Sequence, residues 1–357
     1  MRTITTAIAI LAIALSAASL NSCSKGFDDD NDTQNPEKPN DSCPYEFDNT
    51  SIQVYANPQQ MVHVRATIRS KADSTSLIPA EQLPKVTLLF STSSDPDSFR
   101  EPQSVSDLIS DLDDLVDVYA RGFQNSGQTY LARLVLTVGN TSTQSQIFNI
   151  TIPPLPEVQK QQLKAVDLGL SVLWADANLG AQSDTSDGFH IAWGELVPKE
   201  TYNQENYAHN SIDLDYFISS EITSVSLLDP ALEAAGDGWR LPTADEVKEL
   251  YKNCSWAAER LTPSRSAMRF TAANGNSIIL PCAGVCYNDK IVHNDEYDKK
   301  YTGKLSGYYL TGTLGQAHDV ACCLRFDVEP KDNSSIISVS KNEDVWMGFS
   351  IRAVKDR

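Results

Sequence analysis

Positive charge is what this chain has least of. Its 357 residues hold 29 Lys and Arg against 47 Asp and Glu, a formal net charge of -18. A non-specific nucleic-acid binder needs a basic face to neutralise phosphates, so that class is excluded, as is adhesion to anionic lipid by charge alone. An acidic surface of this kind reads as a solvated face that favours solubility. Histidine is sparse, and His63, His190, His209, His293 and His318 are scattered. Cys282 and Cys286 have tolerable metal-ligand spacing, but no second His or Cys pair follows at a finger-like distance, so no zinc is expected. Neither Glu-Pro-Asn nor Gln-Pro-Asp occurs, and Glu329-Pro330-Lys331 lacks the third acceptor of a calcium-binding turn. No calcium is therefore expected, and no cofactor. Gly and Pro, at 17 each, are ordinary counts, which excludes collagen-like and wholly disordered chains. With 41% hydrophobic residues the chain can bury real cores, and its length suits two domains.

Residues 1–22 read as a targeting segment. Arg2 supplies a positive start, Ile8 to Leu15 an apolar run, and small residues follow. The run is too short to span a bilayer with its flanks. It ends in Leu20-Asn21-Ser22-Cys23, which resembles the bacterial lipobox. That resemblance implies cleavage before Cys23 and a lipid anchor on it, with more than one acyl chain and so stable attachment to the membrane. Residues 23–43 are polar, rich in Asn, Asp and Pro, and read as a tether that cannot pack a core. The acidic run Asp28-Asp29-Asp30 resembles the export signal of surface lipoproteins in Bacteroides-like bacteria. It implies an outer-membrane protein facing the cell exterior.

Residues 44–156 read as all-β. Gln53–Tyr55, Val62–Ile68, Val86–Phe90, Leu131–Val138 and Ile147–Ile150 are β-branched or alternating, with turn residues between them. Short strands at this spacing suggest a β-sandwich. The hairpin around Gly139-Asn140-Thr141 resembles the closing hairpin of a fibronectin type III or immunoglobulin-like module. Ser104 to Val118 fits less well. Val105, Leu108, Leu112 and Leu115 lie near helical spacing, so this stretch is either a helix or an insertion between strands. The segment shows no catalytic constellation and reads as a spacer. Pro153-Pro154-Leu155-Pro156 stiffens the junction, and 157–164 form a linker.

The second domain, 165–357, contains the clearest helix start. Thr243 is placed as an N-cap, and Glu246 three residues on completes a capping box. Val247, Leu250 and Tyr251 then fall on one face. Pro242 discourages an earlier start. Around this helix stand four motifs in order: Val166 to Ala181; Phe189-His190-Ile191-Ala192-Trp193-Gly194-Glu195 with Tyr202-Asn203; Gly238 to Trp256; and Asn274 to Gly284 with Gly307 to Thr311 and Gly348 to Val354. The series resembles the Fibrobacter succinogenes major paralogous domain. The Trp239-Arg240-Leu241-Pro242-Thr243-x-x-Glu246 core is also similar to that of formylglycine-generating sulfatase-modifying proteins. Both resemblances imply a C-type lectin-like fold. The expected fold class is thus α+β: an N-terminal β-sandwich followed by a C-type lectin-like domain with few helices and long loops.

Formylglycine-type oxidation needs two thiols converging on copper. Cys322 and Cys323 are adjacent in a strand-like run and point to opposite faces, so no catalytic mechanism is expected. Six cysteines remain after lipidation of Cys23. Either Cys282 pairs with Cys322, or these thiols are small buried hydrophobes. Trp174, Trp193 and Trp239 lie within the regular motifs and read as core. Glu195, Tyr202, Asn203, Tyr287 and Tyr301 lie among loop residues and are the candidate ligand contacts. Aromatic faces and polar acceptors together suit a sugar ring. The expected function is a lipid-anchored, non-catalytic surface binding or adhesion protein for an extracellular glycan or protein. The alternatives are a structural or assembly component of a surface complex and, last, a formylglycine-generating oxidase.

Overall fold

The computed structural model describes residues 43–71, 84–102, 104–110, 115–121, 123, 126–212, 221–222, 226–236, 238–293, 303–315 and 319–357. The targeting segment, Cys23, the tether up to residue 42, and Tyr301 lie outside the described residues.

Period-two alternation builds the N-terminal half. Its strands are β1 (Tyr45–Ala56), β2 (Val62–Ser70), β3 (Lys85–Ser91), β4 (Ser104–Ser110), β5 (Leu115–Arg121), β6 (Thr129–Val138), β7 (Thr141–Gln144) and β8 (Phe148–Thr151). They form two sheets, one in the order β1-β2-β5-β4 and one in the order β3-β6-β7 with β8 also on β6. On β6, Tyr130, Ala132, Leu134, Leu136 and Val138 are buried and the residues between them are not. They share one core with Val62, Val64, Ala66 and Ile68 of β2 and with Val86, Leu88 and Phe90 of β3. The helical alternative for Ser104 to Val118 is overturned. β4 pairs antiparallel with β5 from Ser104↔Arg121 to Ser110↔Leu115. Cross-strand pairing satisfies this backbone, and tertiary context outweighs the local spacing. Residues 111–114, with Leu112, lie outside the described residues.

The C-terminal half is also rich in strand. It holds β9 (Ala165–Val166), β10 (Val172–Ala175), β11 (His190–Ile191), α1 (Pro230–Ala235), β12 (Trp239–Arg240), α2 (Ala244–Asn253), β13 (Ser255–Thr262), β14 (Arg265–Thr271) and β15 (Ser277–Pro281). After these come β16 (Val285–Tyr287), β17 (Lys290–Val292), β18 (Leu305–Leu314), β19 (Val320–Val328), β20 (Ser335–Asp344), β21 (Phe349–Ser350) and β22 (Val354–Asp356). The described residues are thus mostly strand, with α1 and α2 as their α-helices. The central sheet, β11-β21-β18-β19-β20, is covered on both faces. Leu310, Cys323 and Phe349 belong to one core, and Tyr309, Leu324 and Phe326 to another.

Helix α2 starts where its capping box places it. Thr243 Oγ1 accepts from the Glu246 amide at 3.1 Å, and Glu246 Oε2 accepts from the Thr243 amide at 2.8 Å. Glu246 also receives Arg240 Nη2 at 2.7 Å, and Arg240 reaches on to Asp356 at 2.6 Å. The box therefore ties β12, α2 and β22 together. The inner face of the helix, Val247 and Leu250, packs against Trp174, Met268, Phe270 and Phe326. Burial of each such side chain contributes about 1.5–3 kcal/mol.

A second tie is Arg352, between β21 and β22 and only 1% exposed. Its guanidinium donates to Asn178 Oδ1 at 2.9 Å, to the Ala175 and Asp176 carbonyls at 3.1 Å, and to the Ile279 carbonyl at 2.7 Å. Burial lowers its pKa to about 10, which still leaves it charged near neutral pH.

Two substitutions separate the ties. Thr243→Ala lowers unfolding stability by about 1 kcal/mol. Arg352→Met strands buried oxygens that each cost about 1–3 kcal/mol unpaired, so it lowers stability by about 3 kcal/mol or more. Urea denaturation of both variants checks the ranking, and an Arg352→Met protein as stable as Thr243→Ala would contradict it.

Candidate functional site

The predicted ligand contacts do not converge on one open surface. Glu195 is 6% exposed. Its Oε1 accepts from Lys199 Nζ and from the Ala208 amide, both at 2.9 Å. Tyr202 is 2% exposed. Its hydroxyl donates to the His190 carbonyl and accepts from the Lys199 amide at 3.0 Å, and burial raises its pKa. Both residues are buried, with Glu195 Oε1 and the Tyr202 hydroxyl bonded internally, which speaks against their reading as exposed ligand contacts. Asn203 is half-buried and exchanges backbone-to-side-chain hydrogen bonds with Asn206. Tyr287 is half-buried and packs against Trp346 at 5.3 Å between ring centroids. Trp346 is the aromatic that the motifs did not flag. Trp174, Trp193 and Trp239 are buried, as expected.

Of the two alternatives for Cys282 and Cys322, the bridge is not formed: both are free thiols, as are Cys43, Cys254, Cys286 and Cys323. Cys322 donates to the Leu314 carbonyl at 3.4 Å and sits near Lys248 and Lys341. Cys282 instead packs beside the core of Tyr309 and Phe326, near Asp187 and Asp327. The two thiols serve separate environments. Burial pushes the Cys282 pKa up to about 12.

Two clefts of about 300 Å³ each flank the segment from Glu343 to Met347. The first is walled by Tyr308, Arg325, Glu343, Asp344 and Met347. Arg325 lies over the Tyr308 ring at 5.2 Å, reaching Asp327 at 3.4 Å and Glu343 at 4.0 Å. Beneath it, Ser306 Oγ donates to Asp327 at 2.6 Å, and the Ser306 amide donates to His293 Nδ1 at 3.0 Å. The second cleft is walled by Tyr207, Asn210, Ile212, Asp319, Asp344 and Trp346. Asp344 lines both. Its pKa is raised by burial first, then by the charges of Asp319 and Glu343. A third, mainly apolar cleft of about 340 Å³ lies between Val158, Phe189, Leu196 and Pro198. Among the described residues, no group of three or more His, Cys, Asp or Glu is placed to hold a metal ion.

The wall of the second cleft is also the joint between the two halves, which form part of one compact unit, Pro39–Arg357. Asn57 Oδ1 accepts from the Met61 amide at 3.0 Å, which turns its NH₂ toward His209 Nδ1 at 2.9 Å. His209 Nε2 then donates to the Gly194 carbonyl at 3.0 Å. This is the neutral imidazole, with both nitrogens used. Gly194 has φ +74°, and a Cβ there would stand 2.9 Å from His209 Nε2. Nearby, His63 bridges Asp117 at 2.6 Å and the Ser211 carbonyl at 2.7 Å, stacked between Tyr55 and Tyr119. Met61 and Tyr119 enter the C-terminal core itself.

No family model matches the chain, and no curated protein matches it.

Two outcomes follow from this geometry. Burial lowers the His209 pKa to about 4, against an unfolded value near ~6.5. The unfolded chain takes up this proton first. The contribution is therefore fully present above about pH 6.5 and is lost as the pH falls toward 4. Denaturation midpoints between pH 8 and 4 should fall less steeply in His209→Gln than in the wild type. Because the described thiols are unpaired, dithiothreitol should leave the thermal midpoint unchanged, and a drop would reveal a bridge.

Proposed function

We propose that this chain is a lipid-anchored surface protein whose C-terminal half binds an extracellular ligand without catalysis. The N-terminal sheets, facing one another across one core, support a β-sandwich spacer. The order of motifs, the capped helix and the long irregular connections support a C-type lectin-like domain behind it. The lipobox at Cys23 and the acidic run after it support an outer-membrane position facing outward. The observation that carries the binding reading is the pair of clefts of mixed polarity sharing Asp344, with Trp346 in the wall of the second. The assembly alternative draws on β20, a ten-residue edge strand of the central sheet with Ile336 60% exposed. An open edge of this kind can pair with another chain.

Protease shaving of intact cells should release the protein, and Cys23→Ala should move it out of the membrane fraction. Retention of the variant in membranes would refute the anchor. The mature protein should bind members of an array of glycans and extracellular matrix proteins. Silence across the whole array, together with co-purifying partners in native extracts, would favour the assembly reading.

A further inference from the structure

We propose that the Glu343–Met347 ridge and its two clefts bind an uncharged oligosaccharide directly, without calcium, with one sugar unit in each cleft. This inference rests on the binding-protein reading above and assigns its ligand class.

Asp344 stands at the centre. The residue is half-buried and lines both clefts, and no hydrogen bond from the described residues reaches its carboxylate. It can accept hydroxyl hydrogens from either side. Arg325 supplies the opposite need. A guanidinium has five N–H donors, yet its ion-pair contacts here are long, at 3.4 Å and 4.0 Å. The guanidinium lies over the Tyr308 ring, 5.2 Å from its centroid, which keeps it at the cleft wall. On the other side of the ridge, Trp346 is braced by Tyr287. A fixed indole offers a face to the C–H surface of a pyranose at little entropic cost.

Charge selects among sugars. At the first cleft the one guanidinium, Arg325, pairs with Asp327 and Glu343, and Asp344 lines the same cleft. A sialic or uronic acid would add like charge to a chain already at -18. A neutral sugar needs donors and acceptors in balance, which Arg325 and Asp344 provide. The division into small compartments of equal size suits a repeating chain of rings better than one extended peptide.

The test uses the mature full-length protein in EDTA. The probes are immobilised fragments of glucan, mannan, xylan and N-acetyllactosamine chains, beside sialylated and uronate chains and lysine-rich peptides. The expected result is binding to at least one neutral chain, ten-fold or more tighter for a disaccharide or longer than for its monosaccharide. Trp346→Ala and Asp344→Asn should each weaken it at least ten-fold, with circular dichroism unchanged. Asp344→Asn is nearly isosteric, so it reads the site even if Trp346→Ala unfolds. Binding that requires calcium, is confined to acidic chains or peptides, or is untouched by Asp344→Asn overturns the proposal. Binding of a matrix protein with no sugar bound overturns it while leaving the binding-protein reading intact. Absence of any ligand overturns both.

Discussion

The C-terminal half depends on one buried cation. Arg352 reaches backbone or side-chain oxygens of Ala175, Asp176, Asn178 and Ile279. Those residues come from the end of β10, the loop beyond it, and β15. Asn178 passes the connection on, donating to the Tyr309 hydroxyl at 3.1 Å and to the Asp187 carbonyl at 2.9 Å. A guanidinium without a carboxylate partner is costly to bury. It is stable here because a fan of preset acceptors replaces its water. Irregular backbone beside β10 and β15 is thereby fixed, and the sheet that holds Tyr308, Tyr309 and Arg325 is seated on it.

That constraint explains what could and could not be read along the chain. Helix α2 was legible because its determinants are local: Thr243, Glu246, Val247 and Leu250 lie within two turns. β6 was legible because alternation over ten residues has one reading when one face is buried. Arg352 lay within a quoted motif, yet its role was hidden, since its acceptors stand 73 to 177 residues away. The same holds for Ser104 to Val118, where local spacing suggested a helix and pairing with β5 decided otherwise.

The site was legible only in part. Glu195 and Tyr202 sit among Gly, Asn and Pro, which read as exposed loop. In this half, however, irregular backbone runs through the interior, and Lys199, the Ala208 amide and the His190 carbonyl bond the Glu195 and Tyr202 side chains there. Tyr287 lines neither cleft and reaches the second only through its ring contact with Trp346. Trp346 stands in a short acidic stretch with no periodicity, so only the fold brings it to Tyr287. Cysteine pairing was undetermined for the same reason: Cys282 and Cys322 have similar chemistry but pack in different places.

The joint at His209 has a mechanical consequence. Tyr207, His209, Ser211 and Ile212 line the second cleft, while Asn57 and His63 grip His209 and Ser211 from the N-terminal half. Beside the covalent junction and the packing of Met61 and Tyr119, these hydrogen bonds hold the cleft wall to the N-terminal half. The residues that wall the cleft are thus also residues that join the halves, so any shift of one half against the other is felt in the cleft wall.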